Sequence, residues 1–89
     1  MSKFHLMIKT DDEWEYFFKK EDFPGKRRND LAQKDQSYAR ANAKTISKRK
    51  DIGEIGIMYA GEIVDIYLNG KLVQSRDIKT REKKQNEGI

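Results

Sequence analysis

Basic residues cluster in the middle of this chain, and their spacing suits the binding of phosphate groups. Residues 19–50 hold 11 basic and four acidic side chains within an 89-residue chain of net charge +4. Arg40, Lys44 and Lys48 recur every four residues, which on a helix places them about 6 Å apart along one face. Arginine gives bidentate phosphate contacts, and lysine gives a point charge. The candidate nucleic-acid-binding residues are Lys26, Arg27, Arg28, Lys34, Tyr38, Arg40, Lys44, Lys48, Arg49 and Lys50.

This charge pattern predicts a nucleic-acid partner that is bound mainly through electrostatic attraction. The sequence contains no helix-turn-helix spacing, no zinc-finger ligands and no aromatic signature of an RNA-recognition sheet. We favour RNA over DNA, because one exposed helix with a basic loop suits structured or single-stranded RNA. The alternative is a solvated helical face whose charges only keep a small protein soluble.

The predicted C-terminal sheet supplies a second candidate surface. Four apolar side chains fall together on the outer sheet face, away from the predicted helices: Met58, Ile63, Tyr67 and Leu72. A second copy of the chain or a host protein would bind through them. Coverage of this face by the N-terminal strand or the C-terminal tail is the alternative.

The composition excludes several kinds of catalytic chemistry. The chain has no Cys and one His, which excludes a thiolate zinc site and a thiol nucleophile and disfavours a Ser–His relay. The four carboxylates within residues 11–15 suit the first turn of a helix and require no metal ion. The sequence therefore predicts no catalytic residue, no metal and no other cofactor.

The elements that position these residues follow from side-chain periodicity. Alternation predicts a strand over residues 3–9, with Phe4 and Leu6 on its buried side. Thr10 and Glu13 then have the spacing of a capping box, which predicts a helix over residues 11–20. A second helix over residues 30–48 would pack through its alanines and present its basic side chains outward.

Residues 53–78 predict an antiparallel meander. Asn69-Gly70 is typical of a two-residue type I′ turn, and Ala60-Gly61 is a second candidate turn. These turns give one aliphatic sheet face, with Ile55, Ile57 and Val64, which would receive the helices. The predicted outer face carries a second set of residues, which includes Asp65 and Tyr67.

The resulting fold class is α+β, a single domain over residues 1–78 with the order β-α-α-β-β-β and two helices on one sheet face. Residues 79–89 form a predicted charged, flexible tail. Apolar residues make up 36% of the chain, and charged residues make up 38%. No apolar run approaches the roughly 18 residues of a membrane span, and the N-terminus has no signal-peptide core, so we expect a cytoplasmic protein.

The element order over residues 3–78 resembles the RelE/ParE toxin fold, whose members cut messenger RNA on the ribosome or poison gyrase. The resemblance implies an endoribonuclease toxin as an alternative function. Those ribonucleases use basic and Tyr or His residues on the sheet and near its C-terminal end. This sheet offers Tyr67, Lys71 and Arg76, while most of the positive charge lies elsewhere, so no active-site residue carries over.

The composition also resembles the small accessory proteins of large tailed phages. The resemblance rests on a short, Cys-free, charge-dense chain with one Pro, an Asn69-Gly70 hairpin and a charged stretch over residues 81–87. Some such proteins bind RNA and block host RNA-targeting defences such as toxin–antitoxin systems. It implies an RNA-binding phage antagonist that acts in the host cytoplasm.

Overall fold

A computed structural model describes residues 3–78 as a five-stranded antiparallel sheet with one α-helix against one face. The α+β single domain is confirmed, but the described order is β-β-α-β-β-β with one α-helix rather than two. The predicted tail at residues 79–89 lies outside the described residues. The sheet order is β2-β1-β3-β4-β5. The elements are β1 (Phe4–Thr10), β2 (Glu13–Tyr16), α1 (Gln36–Ser47), β3 (Glu54–Tyr59), β4 (Glu62–Leu68) and β5 (Lys71–Gln74).

The prediction of a helix over residues 11–20 is wrong, because this segment begins with the turn and the second strand of a hairpin. Asp11 and Asp12 form the turn, with φ angles of 52° and 68°. Two successive positive φ angles define a type I′ turn, and Asp tolerates them better than most residues. Trp14 then pairs with Lys9 across the hairpin, so its ring joins the sheet.

The second predicted helix forms, but it is shorter than residues 30–48. Gln33 is extended and exchanges two backbone hydrogen bonds with Phe4, of 2.7 and 3.1 Å. Because of this bridge, α1 begins later in the chain than predicted, and its N-cap is Asp35 rather than Asp30. The Asp35 carboxylate accepts a 2.8 Å hydrogen bond from the Tyr38 amide, which satisfies one of the free donors of the first turn.

The meander predicted over residues 53–78 is confirmed in its three strands, which end at Gln74, and both predicted turns are in place. Ala60 and Gly61 have φ angles of 51° and 83°, and Asn69 and Gly70 have 54° and 82°. These are the positive values that type I′ turns require, so each turn fixes the pairing of the residues next to it.

The predicted face assignment within β4 is wrong beyond Val64, because the strand contains a bulge. Ile63 pairs with Met58 as predicted, but the next pair joins Asp65 to Ile57 rather than to Gly56. The extra residue turns Asp65 and Tyr67 toward α1. Both are buried, Asp65 completely.

The hydrophobic core lies between α1 and the sheet. It comprises Phe4, Leu6, Ile55, Ile57, Val64 and Tyr67 from the strands, with Ala39 and Ala43 from the helix. Both alanines are fully buried, so the predicted close approach of the alanine face is confirmed. Lys44 is exposed on α1, and Lys48, the C-cap residue, is exposed directly after the helix.

Candidate nucleic-acid interface

The predicted basic row on α1 is not a uniform cationic surface. Arg40 lies on the helix side that faces β4, and its guanidinium pairs with the Asp65 carboxylate at 2.9 Å and with Asp77 at 2.8 Å. Lys44 and Lys48 are exposed, as predicted. Arg40 is therefore not a free cation in this structure, because Asp65 and Asp77 engage its Nε and Nη2 atoms. Its predicted contact with nucleic acid stays a prediction.

The carboxylate of Asp65 organises the surroundings of Arg40. It also accepts hydrogen bonds from the Gln36 side chain at 2.8 Å and from the Arg76 amide at 3.3 Å. Bonding to Asp65 raises the pKa of Arg40 above its usual range, although partial burial opposes the shift. This network joins β4, α1 and the segment after β5, which is a structural role.

The other predicted phosphate-contacting residues are spread over several surfaces. Two of the arginines form exposed ion pairs of 3.7 Å, Arg27 with Asp30 and Arg49 with Asp51. Tyr38 on α1 is 59% exposed. Lys26, Lys34 and Lys50 are exposed. No single surface brings all ten predicted residues together, and Arg28 has surroundings unlike the others.

The four residues predicted as a partner interface are divided between the two sheet faces. Met58 and Ile63 form a cross-strand pair on the face away from α1 and are half-buried. Tyr67 lies under the helix, and burial raises its pKa. Leu72 pairs with Tyr67 and therefore lies on the helix side of the sheet, where it is 43% exposed.

The residues that the ribonuclease alternative would use have other contacts. Tyr67 is only 6% exposed. The Arg76 guanidinium pairs with Glu62 at 3.0 Å. Lys71 is exposed on the edge strand β5. Tyr67 and Arg76 therefore offer no open catalytic pair, and the ribonuclease resemblance stays a prediction.

The sheet face away from α1 carries an aromatic and cationic cluster that the sequence reading missed. Its five members are called here the aromatic–cationic face: His5, Lys9, Trp14, Tyr16 and Arg28. The cross-strand pairs Lys9–Trp14 and Met7–Tyr16 place both rings on this face. The overlooked pattern was the alternation of Glu13-Trp14-Glu15-Tyr16, which is typical of a strand.

The Trp14 ring packs against the backbone of β3 at Gly56, which has no side chain. A Cβ atom at Gly56 would lie 2.9 Å from the Trp14 ring, so glycine allows the indole to lie against β3. The ammonium group of Lys9 lies 5.6 Å from the ring centroid and 3.8 Å from the Glu54 carboxylate. The indole is half-buried, with part of its surface open to solvent.

Arg28 makes the closest cation–π contact on this face. Its guanidinium carbon lies 3.8 Å from the centroid of Tyr16, and its Nη1 donates a 2.6 Å hydrogen bond to the Phe18 carbonyl. Among residues 3–78, no carboxylate forms an ion pair with Arg28. The guanidinium is therefore fixed in place while its charge stays uncompensated.

His5 lies beside Arg28 and Tyr16, and the charge of Arg28 affects its pKa. Its ring meets Tyr16 edge to face, with centroids 5.5 Å apart. Burial lowers the pKa of His5, and the charges of Arg28 and Lys3 lower it further, against a hydrogen bond with Asn29 that raises it. His5 is thus favoured in its neutral form, in which a ring nitrogen remains available as an acceptor.

An open pocket of about 390 Å³ adjoins the aromatic–cationic face at the free edge of β2. It is called here the β2-edge pocket, and its lining residues are Trp14, Glu15, Tyr16, Lys19, Lys20, Glu21 and Arg28. The Glu15 carboxylate forms an ion pair with the Lys19 ammonium group at 3.6 Å and accepts a 3.1 Å hydrogen bond from the Thr10 hydroxyl. The pocket thus combines two aromatic rings with two cations, Lys20 and Arg28, that lack an ion-pair partner within residues 3–78.

No protein-family model, curated protein or solved structure matches this chain. Within residues 3–78, the side chains form no cluster of three or more His, Asp or Glu that could hold a metal ion. In the same range, the α-helix is too short and too polar to cross a bilayer.

Proposed function

We propose that this protein binds RNA without catalysis, and that the aromatic–cationic face is its principal contact surface. The observation that carries the proposal is the Arg28 guanidinium, held 3.8 Å from Tyr16 with no carboxylate partner among the described residues. Arginine planes and aromatic rings are the groups on which unpaired RNA bases stack. Such stacking contributes about 1–3 kcal/mol per base and tolerates every base.

The surrounding charges supply phosphate contacts for the same strand. Lys20 and Arg28 border the β2-edge pocket, and Lys3 is close enough to influence His5. Each phosphate neutralised on a single strand contributes about −0.7 to the slope of log affinity against log salt. We therefore expect a slope of about −2 for these three cations, and a steeper one where Lys44 and Lys48 also take part.

The helix cations support this proposal as secondary contacts. Lys44 on α1 and Lys48 at its C-cap are exposed, whereas Arg40 is held by Asp65. Two lysines without an aromatic neighbour give attraction but no stacking platform. Their removal is expected to weaken binding less than the loss of Arg28.

Adjacent arginines provide a matched test. Arg28→Gln removes the stacked guanidinium, and Arg27→Gln removes an equal charge from an exposed side chain one residue away. By fluorescence anisotropy with a labelled single-stranded RNA, we expect Arg28→Gln to weaken binding about tenfold or more, because a stacking contact is lost. Arg27→Gln should weaken it about twofold.

A third variant separates stacking from charge. Arg28→Lys keeps the positive charge but lacks the planar group, so its affinity should lie between those of the wild type and Arg28→Gln. Thermal unfolding of each variant shows whether the fold is retained. Equal effects of Arg27→Gln and Arg28→Gln, with the fold intact, would show that binding does not use this face.

A further inference from the structure

The β2-edge pocket has walls of two chemical kinds. Trp14 and Tyr16 stand on the strand, and the 3₁₀ turn Lys20–Asp22, together with Lys19, lies beside it. Arg28 reaches the pocket from the next turn along the chain. The aromatic rings therefore line the same small pocket as ammonium and guanidinium groups, so one nucleotide could contact both.

The charge inside the pocket is small and unevenly placed. Lys19 and Glu15 compensate each other at 3.6 Å. Lys20 and Arg28 then face one remaining carboxylate, that of Glu21. The net charge that faces the pocket is small, so a free phosphate ion should bind weakly. A phosphate joined to a base also gains stacking energy from the aromatic rings.

The size of the pocket limits what it can hold. The pocket, of about 390 Å³, is an open depression rather than an enclosed cavity, so a single group can lie in it while part of that group stays exposed to solvent. A base enters such a space only after it has left the stack, which single strands permit and duplexes resist. The rings lie along a strand edge, where a continuous helix would present phosphates and sugars instead of base faces.

From this geometry, and provided that the proposed function holds, we propose that the β2-edge pocket binds one nucleotide of single-stranded RNA. Its base lies against Trp14, because the Arg28 guanidinium already stacks on Tyr16, and its phosphate lies near Lys20 and Arg28. The aromatic–cationic face therefore selects single strands over duplexes. This selection by pocket shape differs from general attraction to polyanions, which binds both forms.

Trp14 makes the pocket directly observable. It is the sole tryptophan of the chain and lines the pocket, so its fluorescence reports whether a base has entered. The ligands to compare are a single-stranded RNA of about eight nucleotides, the same sequence as a duplex, adenosine monophosphate and inorganic phosphate. Anisotropy of labelled RNA measures total binding in parallel.

We expect single-stranded RNA to quench Trp14 and to bind about tenfold or more tightly than the duplex, since the unstacking cost falls on the duplex alone. Adenosine monophosphate should quench at higher concentration, and inorganic phosphate should not quench. Lys20→Gln should weaken single-strand binding, while Lys26→Gln, an equal charge change outside the pocket, should have a smaller effect.

Two results would overturn the pocket assignment while leaving the proposed function standing. One is duplex binding as tight as single-strand binding, with Arg28→Gln still weakening both. The other is saturation by RNA with Trp14 emission unchanged. By contrast, RNA binding that is insensitive to Arg28→Gln would refute the proposed function itself.

Discussion

The guanidinium of Arg40 and the carboxylate of Asp65 form a bidentate pair between the helix and the sheet. Arg40 Nε donates to Asp65 Oδ2 at 3.0 Å, and Nη2 donates to Oδ1 at 2.9 Å. Asp65 has no exposed surface, and the Arg40 side chain is 26% exposed. Arg40 belongs by its spacing to a row that resembles a phosphate-binding surface. In the structure, its guanidinium instead joins the helix to the sheet.

Removal of the Asp65 carboxylate should destabilise the protein strongly. Asp65→Ala leaves Arg40 and Gln36 without their buried acceptor, and breaking a buried pair costs about 3–5 kcal/mol. Because Asp77 still pairs with the partly exposed Arg40, we expect a loss near the lower end of this range. Urea unfolding followed by circular dichroism measures the change. The control is Asp77→Ala, which removes the other carboxylate of Arg40.

Asp77 contacts Arg40 at 2.8 Å, but its side chain is 82% exposed. An exposed ion pair contributes about 1 kcal/mol or less, so Asp77→Ala should change the free energy of unfolding far less than Asp65→Ala. Similar losses for the two variants would contradict the structural role assigned to the buried pair.

The sequence predicted the meander because its turns leave few alternatives. Asn69-Gly70 and Ala60-Gly61 both adopt the positive φ angles expected of two-residue turns. The bulge after Ile63 was not predictable, because alternation alone does not show where one extra residue enters a strand. That single insertion placed Asp65 beside Arg40 and moved Tyr67 into the core.

The aromatic–cationic face was missed for a different reason. Thr10 and Glu13 fit a capping box, yet the same residues close a hairpin in which they pair directly. Local sequence allowed both structures, and pairing of β2 with β1 decided between them. A helix over residues 11–20 hides the alternation of Trp14 with Tyr16, and a count of charge along the chain does not separate Arg28 from cations that lie on other surfaces.

Gly56→Ala tests whether Trp14 is seated on β3. The added methyl group would lie 2.9 Å from the indole, so the ring must move. Overpacking of this kind costs about 1–3 kcal/mol, and the Trp14 emission maximum should shift as its surroundings change. Gly53→Ala is the control, since its added Cβ meets nothing within 4 Å; a Gly56→Ala spectrum identical to that of Gly53→Ala would contradict the packing.

Ser47→Ala tests the attachment of the β4–β5 turn to α1. The fully buried Ser47 hydroxyl accepts a 2.9 Å hydrogen bond from the Gly70 amide and donates to the Lys44 carbonyl. Its removal leaves the amide without this acceptor, at a cost of about 1–3 kcal/mol in chemical denaturation. Ser37→Ala, on the exposed side of the same helix, should be near neutral. A neutral Ser47→Ala would show that the turn is held by other contacts.

His5 should make stability depend on pH. Burial and the nearby charges of Arg28 and Lys3 lower its pKa in the folded protein from the ordinary 6.5. Protonation therefore occurs more readily in the unfolded chain. The contribution of His5 is fully present above pH 6.5 and decreases as the pH falls toward the lowered folded-state value.

The measurement is the difference in unfolding free energy between wild type and His5→Gln, taken at intervals between about pH 5 and pH 8. Other groups that titrate in this range cancel in the difference, so what remains is the effect of His5. We expect the wild type to gain stability relative to His5→Gln as the pH rises, with the change complete above pH 7. A difference that stays constant, or that grows as the pH falls, would mean that the folded state does not disfavour the imidazolium. In the complex with RNA the slope should shrink, because phosphates near Arg28 offset the positive charge that disfavours a charged His5.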